Sequence, residues 1–301
     1  MRKTLLILGI MVFAVLSLGA SGQEEAKLGT EENPIIWGFV PSGETQEIVA
    51  GGEEVAQMIF DKTGLYVDVS VASDYSGVIE ALSSEPPEAH MASLATFSYV
   101  MAADRGVAEA ALVAKRFGSA TYNGQIIARA DSDIDEVTDL QGKTFARPDP
   151  LSTSGWIIPM LTMRGQGLNP EQDLDRIVDA GGHGAVVASV YQGNVDAGAT
   201  YVDARTSVED NYGDVMDKVK VVTVSQDIPN DGVQFHPSVP EETRNQIVNA
   251  LLEIADSEDG KEALNKAYSW TGLVERDDTF YDPFRQVLQA SGMSIEEIQG
   301  Q

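Results

Sequence analysis

The sequence contains no cysteine. Disulfides, thiolate metal sites and a lipid-modified cysteine are therefore excluded, and the fold has to be held by its core. Histidine is scarce too. The three present, His90, His183 and His236, lie far apart, and none has the spacing of a metal site. Positive charge is short: 20 Lys and Arg stand against 47 Asp and Glu, a formal net charge of −27. That balance excludes a basic face for nucleic acid and argues against anionic membrane surfaces. The acids are dispersed, as in Glu53-Glu54, Asp131-Ser132-Asp133 and Asp277-Asp278, which reads as solvated surface. Motifs of the Gly-x-Ser-x-Gly, Walker and His-Glu-x-x-His types are absent.

The N-terminus has the order of a secretory signal. Arg2 and Lys3 precede an apolar run from Leu5 to Leu16, and small residues follow through Gly22. The run falls short of the about 20 apolar residues that a membrane span needs. Leu18-Gly19-Ala20-Ser21 resembles a bacterial lipoprotein signal, but Ser21 stands where the lipidated cysteine would be. The expectation is a signal peptide over 1–22, a polar tether over 23–30, and a mature protein that is periplasmic or otherwise extracytoplasmic without a lipid anchor. Roughly 280 residues then remain, enough for two lobes of ordinary size.

Beyond the tether, strand and helix patterns alternate. Ile35 to Val40 reads as a buried strand closed by Pro41-Ser42-Gly43. A helical segment follows to about Thr63, with Gly51-Gly52 as its weak point. The rhythm repeats along the middle of the chain, and the last third reads as mostly helical. Such alternation predicts an α/β protein. Ligands of open α/β sheets bind beyond the carboxyl ends of strands, where helices begin. Ser42, Gly43, Tyr75, Ser76, Thr96, Ser152, Thr153, Ser154 and His183 all fall at such places.

The run Asp149-Pro150-Leu151-Ser152-Thr153-Ser154-Gly155-Trp156 carries the most information. It lies between a strand pattern ending at Ala146 and a helix pattern beginning near Trp156. The first turn of a helix leaves N–H groups unpaired and carries partial positive charge. One hydroxyl there reads as a cap; three in a row suit a tetrahedral oxyanion equally well.

With these residues the chain resembles the phosphonate, phosphite and phosphate-binding proteins of bacterial ABC importers. The similarity runs in order over about residues 35 to 290. It includes Asp74-Tyr75, Ser98-Tyr99-Val100, Asp139-Leu140-Gln141-Gly142-Lys143-Thr144, Asp149 to Gly155, Gly193 to Ala199, and Ile228-Pro229-Asn230-Asp231. The resemblance implies a two-lobed, type II Venus flytrap with mixed central sheets flanked by helices. Lobe 1 is expected over 31–126 plus 230–301, and lobe 2 over 127–229. It implies that Ser152, Thr153 and Ser154 bind the anion, with Tyr75, Tyr122 and, at the next helix start, His183; Thr96, where this chain departs from many relatives, is expected to add a further hydroxyl. Two acids, Asp203 and Asp231, stand where relatives hold the amine of an aminoalkylphosphonate. The expected partners are a phosphorus oxyanion and the permease subunits; a monomer without cofactor, metal or catalytic residue is implied. This chain departs from many relatives in having Ala95-Thr96-Phe97-Ser98 before the helix and a single tyrosine, Tyr122, before Asn123. A sulfonate, nitrate or thiamine-precursor ligand, or an exported enzyme on the same fold, are the alternatives.

Overall fold

A computed structural model describes residues 26–299. The expected signal peptide lies outside the described residues. Of the expected tether, residues 27–30 form a turn on the body of the protein. Gly29 N–H donates to the Asn33 carbonyl (2.8 Å), and Tyr66 N–H donates to the Gly29 carbonyl (2.9 Å). Leu28 packs against the core beside it.

Two mixed sheets organise the chain. The strands are β1 (Ile35–Phe39), β2 (Val67–Val71), β3 (Met91–Ser93), β4 (Glu109–Lys115), β5 (Thr121–Arg129), β6 (Thr144–Arg147), β7 (Arg176–Asp179), β8 (Ala197–Tyr201), β9 (Val219–Pro229), β10 (Gly232–Phe235) and β11 (Gly272–Glu275). The first sheet has the order β11-β4-β10-β3-β1-β2 and the second β7-β6-β8-β5-β9. In the first, β1 runs parallel to β2 and β3, and β10 is antiparallel to β3 and β4. In the second, β6 is parallel to β7 and β8, and β5 is antiparallel to β8 and β9. This is the expected two-lobed α/β architecture.

The chain passes between the sheets twice, between β4 and β5 and between β9 and β10. The first passage is the turn Arg116-Phe117-Gly118-Ser119. Phe117 (φ 51°) and Gly118 (φ 83°) both take left-handed conformations, as a two-residue hairpin turn requires. The second passage is Asn230-Asp231. Asn230 binds the two together, its amide donating to the carbonyls of Ala114 and Ser119, each at 3.1 Å. The expected lobe boundary at 126/127 falls inside β5, all of which pairs in the second sheet.

Gly51-Gly52 does not interrupt the first long helix, Thr45–Thr63. A Cβ on Gly51 would stand 2.5 Å from the Ala267 backbone nitrogen and 2.7 Å from the Ala263 carbonyl oxygen. The glycine therefore lets this helix lie against the helix Glu258–Tyr268, and that packing outweighs the about 1 kcal/mol propensity cost of glycine. The last third also holds the short strands β10 and β11, which lie outside its helical segments.

Candidate functional site

The carboxyl ends of β1, β2 and β3 face those of β6 and β7 across one closed cleft. The hydroxyl run forms a wide, π-type turn, Thr153–Ile157, continuing into the helix Ile158–Gly165. Ser152 caps this turn, its Oγ accepting from Gly155 N–H at 3.2 Å. Gly155 is required there, because a Cβ would come within 2.3 Å of Pro148 Cδ and 2.8 Å of Ser152 Oγ. Trp156 follows under the Arg147 guanidinium, 4.4 Å from its ring centroid, which fixes the turn from behind.

Thr153 reaches across the cleft, where its Oγ1 accepts from Phe97 N–H at 2.9 Å. In accepting from backbone N–H groups, Ser152 and Thr153 keep their own hydroxyl protons free to donate. Ser154 stands near Tyr122, where its hydroxyl acts to lower the pKa of the phenol. All three hydroxyl residues are buried.

The tyrosines meet the run from the other side. Burial pushes the Tyr75 phenol well up, the charges of Tyr268, Asp149 and Tyr122 add to this, and a hydrogen bond with Ser152 opposes it. Burial likewise pushes Tyr122 up to about 12, against the hydrogen bond with Ser154. Both phenols are thus protonated donors at neutral pH. Thr96 is fully buried, and its hydroxyl donates to the Pro229 carbonyl at 2.6 Å. The Phe97 ring packs edge-on against Phe284, 6.5 Å between centroids, within the first lobe's own core.

His183 begins the helix His183–Gln192. Its Nδ1 lies 2.8 Å from Thr200 Oγ1, which leaves Nε2 as the other polar atom of the ring. Burial, with the nearby charge of Arg116, lowers its pKa to about 3, so the imidazole is neutral. Its backbone N–H donates to the Ser42 carbonyl across the cleft at 3.4 Å. Asp149 is a further crossing, accepting from Tyr75 N–H at 3.2 Å and from Leu151 N–H at 2.7 Å. The structure therefore brings Tyr75, Thr96, Tyr122, Ser152, Thr153, Ser154 and His183 to one closed cleft, lined mainly by neutral hydrogen-bond donors.

The two acids have partners of their own. Both Asp231 oxygens are held by Arg116, Nη2 to Oδ2 at 3.0 Å, and Trp270 Nε1 donates to Oδ2 at 3.3 Å. Asp203 is held by both Nε (2.9 Å) and Nη2 (2.5 Å) of Arg205, and by Gln125 Nε2 at 3.0 Å. Burial alone would raise the Asp203 carboxyl, but the bonds from Arg205 and Gln125 outweigh it and hold the pKa below the ordinary value.

Sequence reasoning missed Arg116, Asp149 and Tyr268. Asp149 adjoins the hydroxyl run and its acidity was the available signal. Arg116 is one of few cations in an acidic chain, but only the fold sets it against Asp231. Tyr268 lies at a helix end and reaches the Val40 carbonyl through tertiary packing. Among the described residues no group of His, Asp and Glu is placed to hold a metal, and no helix is long and apolar enough to cross a membrane.

Residues 37–281 match the family described as "ABC transporter, phosphonate, periplasmic substrate-binding protein". A phosphate-import protein of Mycolicibacterium smegmatis is 24% identical over 302 residues, covering 93% of each chain. A phosphonates-binding periplasmic protein of Escherichia coli is 24% identical over 275 residues, covering 90% of this chain and 79% of that one. The crystal structure of a binding-protein component of a Pseudomonas aeruginosa ABC phosphonate transporter superposes with a TM-score of 0.78 at 22% identity, covering 89% of this chain and 92% of that one.

Proposed function

From the chain's membership of the periplasmic phosphonate-binding family of ABC transporters, we propose that it is an extracytoplasmic receptor that captures a phosphorus oxyanion and delivers it to a permease. The ligand class is phosphonate, phosphite or phosphate. One observation carries the reading: the buried hydroxyls of Ser152, Thr153 and Ser154 stand together at one strand-to-helix turn, with the protonated phenols of Tyr75 and Tyr122 beside them. Neutral O–H and N–H donors bind an oxyanion without a countercharge, and in a closed cleft such bonds are strong because water is excluded.

The same geometry gives closure a physical basis. Phe97 N–H to Thr153, Tyr75 N–H to Asp149 and His183 N–H to Ser42 all cross the cleft. A ligand bonded to both lobes adds to these contacts and favours the closed form over an open one. The receptor acts as a monomer and needs no nucleophile or proton shuttle. Calorimetric titration of the mature protein with methylphosphonate, phosphite, phosphate, sulfate and nitrate tests the reading. Binding of at least one phosphorus oxyanion, with sulfate and nitrate silent, is expected. Heat from the sulfur or nitrogen oxyanions alone would refute it.

A further inference from the structure

We propose that Arg116 restricts this receptor to phosphorus oxyanions that carry no amine, by occupying the carboxylate that an aminoalkylphosphonate would need. The inference rests on the reading of the cleft as a phosphorus-oxyanion site. It concerns the charged end of that cleft, at the two chain passages.

Asp231 is 8% exposed. Arg116 binds both its oxygens and Trp270 donates to one of them. A carboxylate offers about four acceptor positions, and three are taken by the protein itself. Arg116 is also fixed from behind. Its Nη1 donates to Asn230 Oδ1 at 2.9 Å and its Nη2 to the Tyr268 carbonyl at 3.0 Å. Swinging the guanidinium away from Asp231 would strand these acceptors in the interior.

The pair borders the site: Pro229, two residues before Asp231, accepts from the Thr96 hydroxyl at 2.6 Å, and Tyr122 pairs with Ile228 on the strand that leads into Asp231. The other acid is engaged in the same manner. Asp203 is gripped by Arg205, which is itself anchored to the Val219 carbonyl at 2.6 Å.

An incoming ammonium group brings three donors and a positive charge. At this end it meets a guanidinium already paired with the local anion, so it loses water without gaining a partner and faces a like charge. Both effects reject it. A methyl group, a hydrogen or a hydroxyl asks for no such partner. The favoured ligands are therefore compact ions such as methylphosphonate, phosphite and phosphate.

The test compares 2-aminoethylphosphonate with propylphosphonate, its isostere with a methyl in place of the ammonium, by calorimetry. Wild-type protein and an Arg116→Gln variant are titrated, with methylphosphonate, phosphite and phosphate alongside. Wild type is expected to bind propylphosphonate at least about tenfold more tightly than the amine. Arg116→Gln frees Asp231 and should shift that ratio at least about tenfold towards the amine. The double variant Arg116→Gln with Asp231→Asn leaves no buried charge unpaired. It should recover part of the shift if the single variant does not fold.

Equal or tighter wild-type binding of the amine overturns the proposal. So does an equal loss of all ligands on substitution, which would make Arg116 a hinge brace only. Failure of both long ligands while methylphosphonate binds overturns it too, because cleft length would then be the filter. Silence with every phosphorus oxyanion sinks the receptor reading itself, a result distinct from the others.

Discussion

Arg116 and Asp231 lie on the two separate passages of the chain between lobes, and they are joined there by a two-pronged ion pair, Nη2 to Oδ2 at 3.0 Å. Between them Asn230 accepts from Arg116 and donates to both neighbouring segments. The place where the chain passes between the lobes is thus also where a largely buried pair of charges is neutralised. Removing one partner leaves the other charge largely out of water, which costs about 3–5 kcal/mol where burial is complete. Asp231→Ala is expected to lower stability by about 3 kcal/mol in urea unfolding. The double replacement Arg116→Met with Asp231→Leu should recover most of that loss.

The hydroxyl run should carry the anion. Changing Ser152, Thr153 and Ser154 together to Ala leaves the backbone amides and removes three donors. A hydrogen bond to a charged group is worth about 1.5–3 kcal/mol, so binding should weaken by several orders of magnitude while the fold is retained. Calorimetry with the preferred oxyanion reads this directly. Affinity within threefold of wild type would remove these residues from the site.

His183 makes stability depend on pH. Its pKa lies at about 3 in the folded chain against an ordinary value of 6.5, so the unfolded chain takes up a proton that the folded chain refuses. Above pH 6.5 both forms are neutral and nothing is lost. As pH falls through the window from 6.5 to 3, stability declines by up to about 1.4 kcal/mol per pH unit. His183→Gln is expected to flatten this part of the curve of urea midpoint against pH. An unchanged slope would show that other groups govern it.

Closure should be visible in solution. The lobes are expected to hinge about the segments 116–119 and 230–231, so a saturating oxyanion should reduce the radius of gyration by small-angle scattering. Asp149→Ala removes the carboxylate that receives Tyr75 N–H and should shrink the change at a given ligand concentration. Superposable curves with and without ligand would contradict hinged capture.

Gly51→Ala separates helix propensity from packing. In an open helix the change stabilises by about 0.5–1 kcal/mol. Here the new Cβ would lie 2.5 Å from Ala267 N and 2.9 Å from Ala267 Cα. Backbone cannot yield as a side-chain tip can, and overpacking of this kind costs about 1–3 kcal/mol. The net expectation is a lower melting temperature.

The alternation of strands and helices was legible from Ile35 onward, because buried parallel strands are continuous apolar runs and need no partner to be recognised. β10 and β11 were not, since each has only four residues and is closely flanked by turn formers, Pro229-Asn230 and Pro237 for one and Thr271 and Asp277-Asp278 for the other. The hydroxyl run was legible because its chemistry is local: consecutive residues at one strand-to-helix turn determine both the cap and the donors. Tyr75, Thr96 and His183 were found by the same rule, as residues at helix starts beyond strand ends. What they face across the cleft was decided only by tertiary structure, since contacts such as Thr153 to Phe97 join segments 56 residues apart in the chain. The acids show the division most clearly. Sequence supplied Asp203 and Asp231 as free negative charges. The fold gave each an arginine, because a carboxylate taken out of water must find a cation, and which cation it finds depends on how the two passages of the chain lie beside one another.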